Sequence, residues 1–445
     1  MPQPKFTWTE ILADKWWIAP LAFAAALLVT PVVRYAAYRW KVVDRPDDLL
    51  KPHARPVAYL GGVAMCIGFL VGLMAFILSR RDIGDTADAL WTALATFDVS
   101  AMARNGLWNA VFLSLAAVEV TLVGLLDDLR EISPSKKVLG QVGAAVLLLV
   151  GGIGTRVAVV LLAPLGLQEA AWLMFPVSVL ACIVLIIACT NATNLLDGLD
   201  GLCGGVSAII GLGFLVLTVW LATWGTRGSE LSVTLQDLRI EICLAMVGAV
   251  LGFLPYNFHP ATIFMGDAGS MLLGFLVATV MILFCQANHP RWFLASLVVF
   301  AGPILDTSLA VVRRLLAGRG IFAGDRSHFY DQLIDRGMPL RRVVLLFYVL
   351  SAAAAAIGVL AAIYLRIRYA LALHIGLFAA VWWFFHRFGF VREEPPRHEM
   401  PERPAGTVLG GRRRLKVLFT SAGRRVSLLQ EFRRAAKDLG ISLDI

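Results

Sequence analysis

Charge is what this sequence has least of. Only 16% of its 445 residues are Asp, Glu, Lys or Arg, against roughly 25% in an ordinary soluble domain. With 58% apolar residues and a mean hydropathy of +0.75, that shortage excludes a water-soluble globular enzyme and a disordered chain alike. Metal-type cysteine spacing is missing too. Cys66, Cys182, Cys189, Cys203, Cys243 and Cys285 lie mostly inside apolar stretches with no CxxC pattern. They read as small buried hydrophobes rather than disulfides or a zinc site. Nothing repeats along the chain. The first apolar run lacks a basic n-region and a small-residue cleavage site, so it is expected to stay as a span rather than leave as a signal peptide.

What the sequence does have is apolar runs of membrane length. A bilayer core of about 30 Å needs roughly 20 apolar residues per helix. Eleven runs qualify, at about 16–38, 57–79, 107–126, 138–163, 171–190, 203–225, 240–255, 269–287, 291–312, 342–365 and 369–386. The fourth is interrupted by Gly151, Gly152 and Gly154. The expected fold is an all-α polytopic membrane protein of about eleven transmembrane helices. Its net charge of +9 is a topology bias and no sign of nucleic acid. Arg39, Lys41, Arg45, Lys51 and Arg55 follow the first run, Arg130, Lys136 and Lys137 the third, and Arg313, Arg314, Arg319, Arg326 and Arg336 the ninth. The even-numbered loops are poorer in Lys and Arg. The positive-inside rule then places the N-terminus outside and the C-terminus in the cytoplasm.

The unusual polar clusters all fall in odd-numbered loops or at the helix ends beside them, which implies one shared site at one membrane face. Asp127 and Asp128 are expected at the C-terminal end of the third span, where the helix dipole disfavours anions. They need Lys136, Lys137 or a divalent ion as compensation. The segment Asn191-Ala-Thr-Asn194-Leu-Leu-Asp197-Gly-Leu-Asp200-Gly201 carries a polar group every third residue, a row that a straight helix cannot hold on one face. A tightened or broken turn at Gly198 and Gly201 would gather it. Asp267, between Gly266 and Gly269, is expected just before the eighth span, either as a plain N-cap or beside a phosphate and Mg²⁺. In the ninth loop, Arg326 and His328 are candidates for phosphate or sugar contact. Glu119 and Asp306 lie deeper and read as structural partners or cavity liners.

Together these segments resemble the polyprenyl-phosphate N-acetylhexosamine-1-phosphate transferase family, relatives of the phospho-muramoyl-pentapeptide transferases. The resemblance covers about residues 20–345. It rests on Asp44-Arg45-Pro46, Lys51-Pro52-His53, Pro56 and Gly61-Gly62, then on Asp127-Asp128 with Pro134, Lys137 and Gln141. The Asn191–Gly201 row and Phe264-Met265-Gly266-Asp267-Ala268-Gly269-Ser270 complete it. It implies transfer of a sugar-1-phosphate from a UDP-sugar to polyprenyl phosphate, with release of UMP and a requirement for Mg²⁺, or Mn²⁺ in its place. It further implies that Asp267 is the metal ligand and that Asp127 or Asp128 assists the attacking phosphate. Asn194, Asp197 and Asp200 would line the nucleotide pocket, with Lys51, His53, Lys137, Asn191, Arg326 and His328 as further substrate-binding candidates. The expected setting is a bacterial inner membrane with the site facing the cytoplasm, and a homodimer is carried as a partner candidate.

One departure stands out. Where the family's sugar-recognition loop commonly reads His-x-His-His-Arg, this chain has His328-Phe329-Tyr330-Asp331-Gln332, which leaves the sugar open. A competing reading is a secondary transporter for an anionic solute that uses Glu119, Asp306 and the broken fourth span. The transferase domain is assigned to residues 1–391 and a Pro/Glu/Arg linker to 392–411. Residues 412–445 resemble the opening βα unit of ATP-grasp ligases, cut off as a second strand begins; about 30 residues cannot build a core alone.

Overall fold

A computed structural model describes residues 5–44, 56–80, 83–167, 170–224, 230–286, 290–316, 318 and 328–391. The chain divides into two compact units, 1–395 and 396–445. The second unit, and with it the βα fragment expected over 412–445, lies outside the described residues. Lys51, His53 and Arg326 lie outside them as well.

The first unit is an all-α membrane protein. Its helices in chain order are α1 (Trp8–Leu12), α2 (Ile18–Trp40), α3 (Gly61–Ser79), α4 (Ile83–Ala95), α5 (Val99–Arg104), α6 (Gly106–Arg130), α7 (Pro134–Val150) and α8 (Ala158–Leu162). There follow α9 (Ala171–Leu196), α10 (Leu202–Trp224), α11 (Glu230–Asn257), α12 (Gly266–Gln286), α13 (Pro290–Val299), α14 (Ala301–Leu316), α15 (Phe329–Asp335), α16 (Leu340–Tyr364) and α17 (Ile367–Arg387). Among the described residues nine helices are long and apolar enough to span a bilayer, and the bent pair α13–α14 makes a tenth if it is one span. The run expected at 138–163 is α7, which has 17 residues, the lower limit for a span.

Two breaks have local causes. α7 stops where Gly151 is followed by Gly152 and Gly154 at φ +81° and +97°, and Asn109 and Trp108 side chains donate to the freed carbonyls of Gly151 and Val150. α13 and α14, expected as one span, meet at 68°. Pro303 has no N–H to give the Val299 carbonyl, so the helix cannot run straight through.

α12 is the axis of the bundle, buried along its whole apolar window, whereas α17 is exposed along nearly all of its own. α6, α9, α3, α13 and α11 pack around α12. Small residues set the spacing. A Cβ on Gly62 would overlap the Ala268–Gly269 backbone, one on Gly124 the Asp267–Ala268 backbone, and one on Gly274 the Cys189–Thr190 backbone. In lipid, where apolar burial does not favour one helix over its surroundings, such close backbone approach is what holds spans together.

A miniature sheet lies ahead of α3 where the apolar pattern predicted only helix. β1 (Val43–Asp44) pairs antiparallel with β2 (Val57–Ala58), and Ala58 also bridges Ile263 in parallel. Phe264 N donates to Ala58 O at 2.8 Å, and Gly61 N and Gly62 N donate to Phe264 O and Met265 O, both at 2.9 Å. The loop leading into α12 is thereby stitched to the start of α3.

Candidate active site

Four helix ends meet at one end of the bundle: the last turn of α6, the first turn of α7, the last turn of α9 and the first turn of α12. Lys137 is the hub. Its Nζ lies 2.5 Å from Asp127 Oδ2 and 2.6 Å from Asp267 Oδ2, so carboxylates from α6 and α12 share one ammonium from α7. The expected compensation of the Asp127-Asp128 pair is therefore split. Lys137 answers Asp127, and Lys136 takes no part.

Asp128 is answered by a helix. Its Oδ1 accepts from Asp267 N at 2.8 Å and its Oδ2 from Ala268 N at 3.1 Å. These are unpaired first-turn amides of α12, and the positive end of that helix offsets the negative end of α6. Asp267 is accordingly no N-cap. It sits inside the first turn of α12, and the capping oxygen comes from Asp128, 139 residues away. Gly266, at φ +67°, has no room for a Cβ because the Asp128 carboxylate fills that space.

The Asn191–Asp200 row does not act as one unit. α9 continues through Asn191 and Asn194 and ends at Asp197, so the expected break comes only at Gly198–Gly201. Asn191 Nδ2 donates to Gln141 Oε1 at 3.1 Å and to Ile187 O at 2.7 Å, tying α9 to α7. Asn194 Nδ2 donates to Ser270 Oγ at 3.0 Å, beside Asp267. Asp200 Oδ2 accepts from Ala261 N at 3.0 Å and meets His259 Nδ1 at 2.8 Å, pinning the loop before α12. Asp197 alone has a side chain with no hydrogen bond or ion pair among the described residues. Burial, with the charges of Asp267, Asp128 and Asp200 added, raises its carboxyl well above the usual range.

Sequence reasoning missed several residues here. The buried Asn257 accepts from Gly201 N and donates to Ile263 O, both at 3.1 Å, locking the two loops together. The Tyr59 phenol faces the same acids; burial first, then Asp197 and Asp128, raise its pKa. Only the contact pattern of distant segments shows either role.

His328 sits apart, buried. Its Nδ1 lies 2.9 Å from Asp306 Oδ2, while Asp306 Oδ1 accepts from Phe329 N at 2.8 Å. Asp306 is thus a structural partner, holding the ring and the start of α15 together. The imidazole stacks on Tyr330 at 5.4 Å between centroids. Tyr330 Oη in turn donates to Leu195 O at 3.2 Å and crowds Gly198. Glu119 is far from the acids in α6, its carboxylate beside Gly143 with Oε2 unpaired among the described residues.

Asp127 and Asp267 thus share the Lys137 ammonium, with Asp128 on the α12 amides and Asp197 close by, all four carboxylates half-buried. No group of three or more His, Cys, Asp or Glu among the described residues is arranged as a closed metal site. The donors are nonetheless all hard oxygens, and acids outnumber cations, a set that suits Mg²⁺ held through few protein ligands and shared with phosphate.

Comparison with known proteins gives a consistent result. The glycosyl transferase family 4 profile matches residues 110–285, the stretch from α6 to α12. A probable undecaprenyl-phosphate N-acetylglucosaminyl 1-phosphate transferase of Bacillus subtilis (strain 168) is 30% identical over 334 residues, covering 74% of this chain and 80% of the relative. A decaprenyl-phosphate N-acetylglucosaminephosphotransferase of Mycobacterium leprae is 30% identical over 351 residues, 74% and 80% respectively. An undecaprenyl-phosphate alpha-N-acetylglucosaminyl 1-phosphate transferase of Escherichia coli (strain K12) is 29% identical over 337 residues, 74% and 78%.

Proposed function

The chain belongs to glycosyl transferase family 4, with the polyprenyl-phosphate sugar-1-phosphate transferases, and from that premise we propose that it moves N-acetylhexosamine 1-phosphate from a UDP-sugar to polyprenyl phosphate. The product is a polyprenyl diphosphate sugar, made as the first membrane step of a cell-envelope polysaccharide. The observation that carries this reading is the convergence of Asp127 and Asp267 on the Lys137 ammonium at the end of the bundle. A lipid phosphate and a soluble nucleotide meet only at such a membrane surface. A transporter site would lie near the midplane instead, whereas these groups sit at helix ends.

An oxygen of the lipid phosphate attacks the sugar-bearing phosphorus, forming a new P–O bond. The bridging P–O bond breaks and UMP leaves with the electron pair. A phosphate monoester is already a competent nucleophile near neutral pH, so Asp127 need only orient it or take a residual proton. Lys137 stabilises negative charge on the transferring group and holds Asp127 and Asp267 in register. Asp267, with Asp127 beside it, would hold Mg²⁺, which supplies neutralisation of the diphosphate. Asp197 and Asn194 border the same space and are assigned to the nucleotide. The site is assigned to the cytoplasmic face of a bacterial inner membrane, where the UDP-sugar is found.

The test is incubation of membranes with radiolabelled UDP-N-acetylhexosamines and polyprenyl phosphate, with and without a chelator, followed by separation of lipid products and UMP. One labelled lipid and stoichiometric UMP, both lost on chelation and restored by Mg²⁺, are expected. Absence of any lipid-linked label from all UDP-sugars would overturn the assignment.

A further inference from the structure

A second polar cavity lies at the other end of the bundle. α3 starts at Gly61 beside the acids and ends near Arg80. α6 starts after Asn105 and carries Asp127 in its last turn, and α11 ends at Asn257 and passes Glu241 near its other end. Arg80, Asp85, Arg104, Asn105 and Glu241 line a cavity of about 320 Å³ between these ends and α4. It therefore sits at the membrane face opposite the acidic site.

Most of the charge around it is already matched. Asp237, one turn before Glu241, lies 3.4 Å from Lys15 Nζ, which also meets Asp14 at 2.9 Å. Arg239 donates to Leu283 O at 2.9 Å and stacks over Phe284. Asn105 donates to Thr86 O and accepts from Leu107 N and Trp108 N. Glu241 is the exception. It is only 3% exposed, forms part of the cavity wall, and has no hydrogen bond or ion pair among the described residues.

A carboxylate so placed calls for a cation that donates hydrogen bonds, and a primary ammonium brings three donors. Charge is distributed by depth. Glu241 is buried and Arg80, which has an interaction of its own, is half-buried, while Arg104 and Asp85 are both exposed at the rim, Arg104 with no ion pair among the described residues. A ligand that carries its ammonium inward to Glu241 can set an anion on Arg104. Size narrows the choice, since ligand pockets run from roughly 300 to 1,000 Å³ and this cavity, at about 320 Å³, lies at the small end. α4, which walls the cavity, exposes Trp91 and Leu94, an apolar surface suited to the bilayer.

We propose that this cavity binds the headgroup of a zwitterionic aminophospholipid, with its primary ammonium on Glu241 and its phosphate diester at Arg104. The acyl chains stay in the bilayer beside α4. A trimethylammonium headgroup is disfavoured because it offers Glu241 no N–H.

Native mass spectrometry of the full chain in detergent, titrated with dioleoyl phosphatidylethanolamine, dioleoyl phosphatidylcholine, phosphoethanolamine or inorganic phosphate, tests the assignment. The ethanolamine lipid should bind about tenfold more tightly than the choline lipid, the scale of one charge-assisted hydrogen bond. Glu241→Gln should erase that preference, and Arg104→Gln, at an exposed rim where folding is not at stake, should weaken the ethanolamine lipid several-fold. Equal affinity for the two lipids, or an Arg104→Gln protein that binds unchanged, overturns the proposal. Phosphoethanolamine or phosphate binding as tightly as the lipid overturns it as well, by giving the cavity to a soluble anion.

Discussion

Asp127 accepts from the Lys137 ammonium and Asp128 from two backbone amides of α12, so substituting them separates chemistry from support. Asp127→Asn should lower turnover at least ~10²-fold while the melting temperature holds. Asp128→Asn should cost ~1–2 kcal/mol of stability, the scale of a lost cap, and lose activity through a displaced Asp267. Thermal melts read beside lipid-product assays distinguish the two, and a stable, inactive Asp128→Asn protein would contradict the capping role. Asp331 makes a pH-dependent case. Burial, partly offset by the His328 ring and N–H, pushes its carboxyl up to about 7, against about 3.9 in an unfolded chain. Between those values the folded state keeps a proton that the unfolded state has lost, so stability falls as pH rises through the window, and the penalty is complete above it. Asp331→Asn removes the penalty. Its melting temperature should rise relative to the parent between about pH 4 and pH 8, and a constant gap would refute the shift.

Helix contacts at the site depend on missing side chains. Gly124 of α6 and Gly62 of α3 lie directly against the first turn of α12, which presents Asp267. Gly124→Ala must part α6 from α12 or shift that turn, at a cost of about 1–3 kcal/mol for overpacking. Activity should fall more steeply than stability, because the Asp128 cap and the Lys137 bridge both span this gap. Gly84→Ala, with nothing near its Cβ position, is the control and should leave both unchanged. The short β1–β2 pair and its bridge to Ile263 belong to the same construction, since they fix the loop that enters α12 from the far side.

At the scale of the whole molecule, every described residue of the acidic site belongs to the unit 1–395. Truncation after Pro395 should therefore leave lipid-product formation within about twofold of the full chain; loss of transfer would assign residues 396–445 a part in catalysis. The two ends of the bundle also differ in kind. One places two acids on a single lysine with two more beside them. The other mixes both signs around Glu241. Retention of transfer by Glu241→Gln would show that the ends work independently.

The sequence by itself determined that this is a polytopic all-α membrane protein, though not the number of spans, because a bilayer demands runs of apolar residues that nothing else in a chain resembles. It also marked Asp127, Asp128, Asp197, Asp200 and Asp267, since carboxylates at the ends of such runs are costly without a purpose. Only the tertiary structure decided what each one faces. That Asp128 caps α12, that Asp200 pins His259, and that Asp306 holds His328 are contacts between segments far apart in the chain. The same holds for Tyr59 and for Ile263 beside β2. Local periodicity carries no record of such pairings, because they are fixed by the packing of whole helices at their glycine contacts and not by any residue's neighbours in sequence.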